Sequence, residues 1–92
     1  MSVKLVVMSE VANRWFSRHR YVSEEKIVTL VIHKSGQVID NPDGSFTLLT
    51  HIIHNRKPLA LYIKAKENTL QNYVEIYVIK IHSGFLKDPK TF

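Results

Sequence analysis

The chain has 92 residues, 45% of them hydrophobic and 23% charged, a balance that suits one globular domain with a single modest core. Thirteen Lys and Arg against eight Asp and Glu leave a formal charge of +5, which points to a polyanionic partner. The absence of cysteine excludes a disulfide framework, a thiolate nucleophile and a zinc–thiolate site, and no apolar run approaches the ~20 residues of a membrane span.

Val3–Met8 reads as a first strand. It is too short for the apolar core of a signal peptide and no small-residue cleavage site follows, so the expectation is a cytoplasmic protein. Ser9 is a candidate N-cap and Glu10 puts an acid in the first helical turn. Val11, Ala12, Trp15 and Phe16 then recur at helical spacing on one side. Arg14, Arg18 and His19 fall outside that stripe and Arg20 follows, so the helix ends in a basic cluster, R-x-x-x-R-H-R. Ser23 with Glu24 and Glu25 opens a second helix whose Ile27, Leu30 and Val31 share a face, with Gly36 as its expected stop.

From Gln37 onward the pattern is β. Residues 37–40 form a short strand, and Asn41-Pro42-Asp43-Gly44 is the strongest turn signal in the chain. In a hairpin over 45–66, two apolar runs flank Asn55-Arg56-Lys57-Pro58, with the proline expected where pairing stops. Leu59, Leu61, Ile63 and Ala65 alternate with Ala60, Tyr62, Lys64 and Lys66, which assigns the first set to a core and the second to an outer surface. Residues 67–72 read as a polar loop and 73–82 as the last long strand, ended by Ser83-Gly84. The tail from 85 is either a further short strand or frayed. The sum is one α+β domain over 1–92, β-α-α-β-β-β with or without one more strand. Its two N-terminal helices pack on one face of an antiparallel meander sheet.

Several stretches carry a likeness. They are Arg18-His19-Arg20-Tyr21-Val22-Ser23-Glu24-Glu25-Lys26-Ile27, Gly36-Gln37-Val38-Ile39-Asp40, Asp43-Gly44-Ser45, Lys57-Pro58-Leu59-Ala60-Leu61-Tyr62 and residues 74–81. In that order they resemble the barnase–EndoU–colicin–RelE ribonuclease superfamily, and within it the small prokaryotic RelE/ParE-like domains. The resemblance covers about residues 3–85 and is one of pattern. It implies a RelE-like fold and a metal-independent endoribonuclease without a cofactor, of the kind found as the toxin of a toxin–antitoxin system. Its expected partners are RNA and an antitoxin-like protein or a second copy of the chain. One position departs: many such domains have T-x-H-A-x-x-R in the first helix, whereas Met8-Ser9-Glu10-Val11-Ala12-Asn13-Arg14 keeps Ala12 and lacks the His. His19 is the replacement candidate. The alternative is a non-catalytic basic domain of the same fold that binds nucleic acid or a protein.

Cleavage of this type needs a base near the 2′-oxygen, an acid for the leaving 5′-oxygen and cations for the phosphorane charge. The resemblance gives the catalytic roles to His19, Arg20, His51, Tyr62 and Lys64. Arg14, Arg18, Arg56, Lys57, Lys66, Tyr77, Lys80 and His82 are then nucleic-acid contacts. Each has a plainer reading: lysines on a solvated or edge strand, basic residues at a hairpin tip, and tyrosines over a core edge. His51 and His54 differ by three and so point to opposite faces of a strand, and no histidine pair has metal-ligand spacing. Strict alternation puts Lys80 on the face of Val74, Ile76 and Val78, at the rim of the core. A Gly-flanked nucleophile turn, paired carboxylates and a phosphate-cradling Gly loop are all missing from the sequence.

Overall fold

A computed structural model describes residues 3–85. The elements are β1 (Val3–Met8), α1 (Glu10–Arg18), α2 (Glu24–His33), β2 (Gln37–Asp40), β3 (Phe46–His54), β4 (Lys57–Thr69) and β5 (Tyr73–Phe85). The domain is α+β, with five strands in one sheet of order β1-β5-β4-β3-β2. The tail from 86 to 92 lies outside the described residues.

The expected meander is present in β2 to β5, where every neighbouring pair is antiparallel. The sheet as a whole is mixed rather than antiparallel, because β1 lies parallel to β5 with Val3 opposite Tyr73 and Met8 opposite Val78. The last strand continues through Ser83 and Gly84, which pair with Leu61 and Ala60, instead of ending there. Residues 67–69 are the end of β4, which shortens the expected loop to 70–72. The β3–β4 turn contains only Asn55 and Arg56, both at positive φ, and Pro58 stands within β4 opposite Ile53. Among the described residues Pro58 has no partner on its β5 side, so its missing N–H breaks no ladder there.

Both helices begin as expected. The Ser9 side chain accepts from the Ala12 N–H and that of Ser23 from the Lys26 N–H, each satisfying an otherwise unpaired first-turn donor. Ser9 also donates to the Ile79 carbonyl at 2.5 Å, which ties the start of α1 to β5. The end of α2 differs from expectation. Lys34, at φ 48°, is the left-handed cap, and Gly36 serves a different need. A Cβ on Gly36 would lie 2.3 Å from the Leu49 carbonyl oxygen, so glycine is what lets the chain enter β2 against β3.

Ala12 and Trp15 of α1 and Ile27 and Val31 of α2 are buried in one cluster with Leu48, Leu59, Leu61, Ile63, Ile76 and Val78 of the sheet. These strand residues belong to one face of the sheet, so the helices cover that face. Val11, expected on the apolar side of α1, is 55% exposed.

Candidate nucleic-acid interface

The face away from the helices is set by one irregularity. In β4 and β5, Lys64 pairs with Lys80 and Ala65 with Val78, leaving Ile79 without a partner. This β-bulge moves the alternation of β5 by one residue. Strict alternation would send Lys80 to the helix side with Val78; the bulge sends it outward. Tyr77 before the bulge and Lys80 and His82 after it therefore share the outer surface.

Directly opposed residues of antiparallel strands point to the same face with Cβ atoms about 5 Å apart. The middle of the outer face is then a ladder: Tyr62 opposite His82, Lys64 opposite Lys80, and Lys66 opposite Tyr77. On the other side of β4, Leu49 lies opposite Tyr62, and His51 opposite Ala60. His51, Tyr62 and His82 thus stand on three adjacent strands, with His51 diagonal to Tyr62. At a strand spacing of about 4.8 Å and a rise of about 3.4 Å per residue, two strands across and two residues along put the two histidine backbones roughly 12 Å apart.

A groove of about 470 Å³ opens here, lined by Asn41, Thr47, Tyr62, Lys64, Lys80 and His82. The β2–β3 turn forms one wall. Asn41 donates from Nδ2 to Ser45 Oγ and to Thr47 Oγ1, both at 3.0 Å. Asp43 accepts from the Ser45 hydroxyl at 2.5 Å and from the Ser45 N–H at 3.0 Å, and it pairs with Lys64 Nζ at 3.2 Å. The Ser45 hydroxyl and N–H, followed by the Lys64 ammonium, hold the Asp43 carboxyl well below its ordinary value. Lys64 thus reaches the groove with a counter-charge at its side. Among the described residues no acid pairs with Lys80.

The thirteen expected site residues fall into three groups, on the outer face, along and after α1, and at the β3–β4 tip. His51, Tyr62, Lys64, Lys66, Tyr77, Lys80 and His82 share the outer face. His19 and Arg20 sit at the end of α1, on the helix side, so the five expected catalytic residues do not meet at one place. His19 stacks on Trp15 with centroids 4.2 Å apart and its Nδ1 lies 2.8 Å from the Trp15 carbonyl oxygen. Tyr21 meets His19 edge-on and stacks on His54 at 4.3 Å, so these rings join the end of α1 to the end of β3. Arg18 is exposed at the end of α1, Arg14 pairs with Glu10 at 2.6 Å, and Arg56 and Lys57 are exposed at the hairpin tip. Among the described residues no three His, Asp or Glu gather as a metal site, and no helix is long and apolar enough to cross a membrane.

Asn41 and Thr47 are not legible as parts of this groove, nor Asp43 as the partner of Lys64, because a turn motif shows where the chain reverses but not which strand its side chains will face. The bulge has a signal in the sequence. The adjacent apolar pair Val78-Ile79 interrupts an alternation that resumes, one step out of phase, as Lys80, Ile81, His82.

No protein-family model, curated protein or solved structure matches this chain.

Proposed function

We propose that this domain is a RelE-like endoribonuclease that binds RNA across the outer face of its sheet and cleaves it without a metal, in the cytoplasm of a prokaryotic cell. The observation that supports this most directly is the bulge at Ile79, which adds Lys80 and His82 to Tyr62 and Lys64 around one groove. A bulge that brings two lysines directly opposite each other works against stability, since like charges so placed repel. An anion between them reverses the sign of that term.

The chemistry follows from the ladder. A phosphate in the groove meets the ammonium groups of Lys64 and Lys80, which offset the charge that builds on the phosphorane oxygens. One neutral imidazole of the His51–His82 pair takes the proton of the 2′-hydroxyl. The 2′-oxygen attacks phosphorus, and the P–O5′ bond breaks. The leaving 5′-oxygen receives a proton from the other histidine, as imidazolium, or from the Tyr62 hydroxyl. The products are a 2′,3′-cyclic phosphate and a 5′-hydroxyl, with no change in oxidation state.

The missing first-helix His favours a second reading, a non-catalytic module of the same fold that holds nucleic acid or a protein partner such as an antitoxin or a second copy. Cleavage of total RNA and tRNA with EDTA present, with end-group analysis, separates the two. The ribonuclease reading expects EDTA-resistant cleavage to 2′,3′-cyclic ends, reduced at least 100-fold in His82→Ala and in Lys64→Ala. Salt-sensitive RNA binding without cleavage at high protein concentration would establish the module instead.

A further inference from the structure

β1 pairs with β5 only as far as Val78, so among the described residues no strand pairs with that edge of β5 beyond Ile79. α1 runs beside that edge, and one stripe of it, Val11, Trp15 and Arg18, faces Ile81 and His82 across a cleft of about 190 Å³. The floor is apolar: Trp15 and Ile81 are 8% and 4% exposed. Trp15 is held in place by its indole N–H, which donates to Ser83 Oγ at 3.3 Å, and by the stacked His19 ring. The rim carries the exposed side chains of Arg18 and His82. His82 also lines the outer-face groove, so the two cavities share a wall.

We infer that this edge cleft is a nucleobase subsite, which makes unpaired RNA the substrate of the outer groove; the inference rests on the RNA reading above. An apolar floor with a cationic rim complements an aromatic ring that carries an anion on its ribose, which is the chemistry of a nucleotide. The walls also supply hydrogen bonds. Along an antiparallel ladder successive residues direct their N–H and C=O alternately toward and away from the partner strand. Either Ile81 or His82 therefore presents its backbone donor and acceptor to that edge, where a base edge can read them. A chain whose phosphate lies between Lys64 and Lys80 passes His82 and turns over the strand edge, and its next base enters the cleft. A base held in a duplex cannot leave its stack to make that turn without unpairing, so the route selects single-stranded RNA.

The test measures binding of the intact protein to a short single-stranded RNA, the same RNA annealed to its complement, and a series in which each nucleotide in turn is abasic. The expected result is one abasic position that weakens binding roughly tenfold, the usual scale for loss of one base contact. In Val11→Gln, which lengthens a side chain into the cleft without adding charge or a ring, binding of the intact strand weakens similarly. The abasic change at that position then costs nothing further. Arg18→Ala gives the same non-additivity and guards against a misfolded Val11 variant, with circular dichroism as the check on both. If the abasic penalty persists undiminished in both variants, or the duplex binds as well as the single strand, the cleft is not the subsite although the groove still binds RNA. If no RNA binds in low salt, both this inference and the reading beneath it fail.

Discussion

The two faces of this sheet are made by the same strands and obey different rules. On the helix side, Leu61, Ile63, Ile76 and Val78 have no exposed surface, and Ile63 and Val78 stand opposite the aliphatic Ile81 and Ala65. One residue along, on the other side, stand Tyr62, Lys64, Lys66, Tyr77, Lys80 and His82. The inner face gains stability from area removed from water, about 25 cal/mol per Å². The outer face includes an opposed lysine pair and two tyrosines that are 39% and 38% exposed. Its composition is explained better by what it can hold than by what it stabilises. The lesson is that position along a strand sets the task of a side chain only through the register, and here the register is set by one residue.

Exchanging the two residues after the bulge, Lys80→Ile together with Ile81→Lys, is the most severe way to break this contrast. With the bulge in place position 80 faces outward and position 81 faces the helices, so the exchange turns a lysine into the core and an isoleucine toward water, whereas under strict alternation it would do the opposite. A lysine buried without a partner and a core isoleucine exposed together cost more than about 4 kcal/mol, enough to remove most of the stability of a small domain. Urea unfolding followed by the Trp15 fluorescence reads this directly, and an exchange variant that keeps the wild-type midpoint would refute the assignment of the bulge. Next in size is Ile63→Ala on the inner face, expected to lower stability by about 2–5 kcal/mol through lost burial and the cavity left behind. Below its unfolding transition this variant should bind RNA as the parent does. Lys80→Ala, one strand across on the outer face, should do the reverse. Its unfolding midpoint stays within about 0.5 kcal/mol of the parent, while the slope of log affinity against log salt falls by about 1.

The elements that were legible in the sequence are those with one strong period. Leu59, Leu61, Ile63 and Ala65 announce a buried strand face, and all four are buried. Ser9 and Ser23 with their following acids announce two helix starts, and both serve as caps. The opposite placement of His51 and His54 follows from their spacing alone, and they do lie on opposite faces. What was not legible depends on partners far along the chain. The parallel seat of β1 requires β5, 70 residues later, and no local pattern distinguishes it from an antiparallel one. Gly36 looks like a helix stop because glycine often is one, whereas its need comes from the Leu49 carbonyl packed against it. The candidate site shows both kinds. Tyr62 and Lys64 could be placed on an outer face from period two, but Lys80 and His82 join them only because the phase of β5 slips at Ile79.

A milder perturbation acts on the groove wall. The Asp43 carboxyl is held below its ordinary value of 3.8 by Ser45 and then Lys64. A carboxyl depressed in the folded state contributes stability that is fully present above its ordinary value and is lost as the pH falls through the folded one. The parent should therefore lose stability below about pH 4 more steeply than Asp43→Asn, in thermal unfolding between about pH 2 and pH 6. Removing the acid also releases Lys64, so the same variant should bind RNA more tightly at low salt.

The smallest effect expected is at the hairpin tip. Asn55 and Arg56 both have positive φ, 51° and 65°, as a two-residue turn of this hand requires. Asparagine is well suited to its position, but arginine bears the cost of its Cβ where glycine is favoured. Arg56→Gly relieves that cost and restores some freedom to the unfolded chain, which opposes the gain. The net is a stabilisation of about 0.5 kcal/mol, seen as a small rise in the urea midpoint. If RNA extends along the outer face as far as the tip, the same substitution weakens binding a few-fold and lowers the salt slope by about 1, because one phosphate contact is lost. A variant that is more stable and binds less well would mark Arg56 as a residue kept for its charge against the preference of its backbone. A more stable variant with unchanged affinity and slope would end the RNA path before the tip and confine it to the ladder between Lys66 and His82.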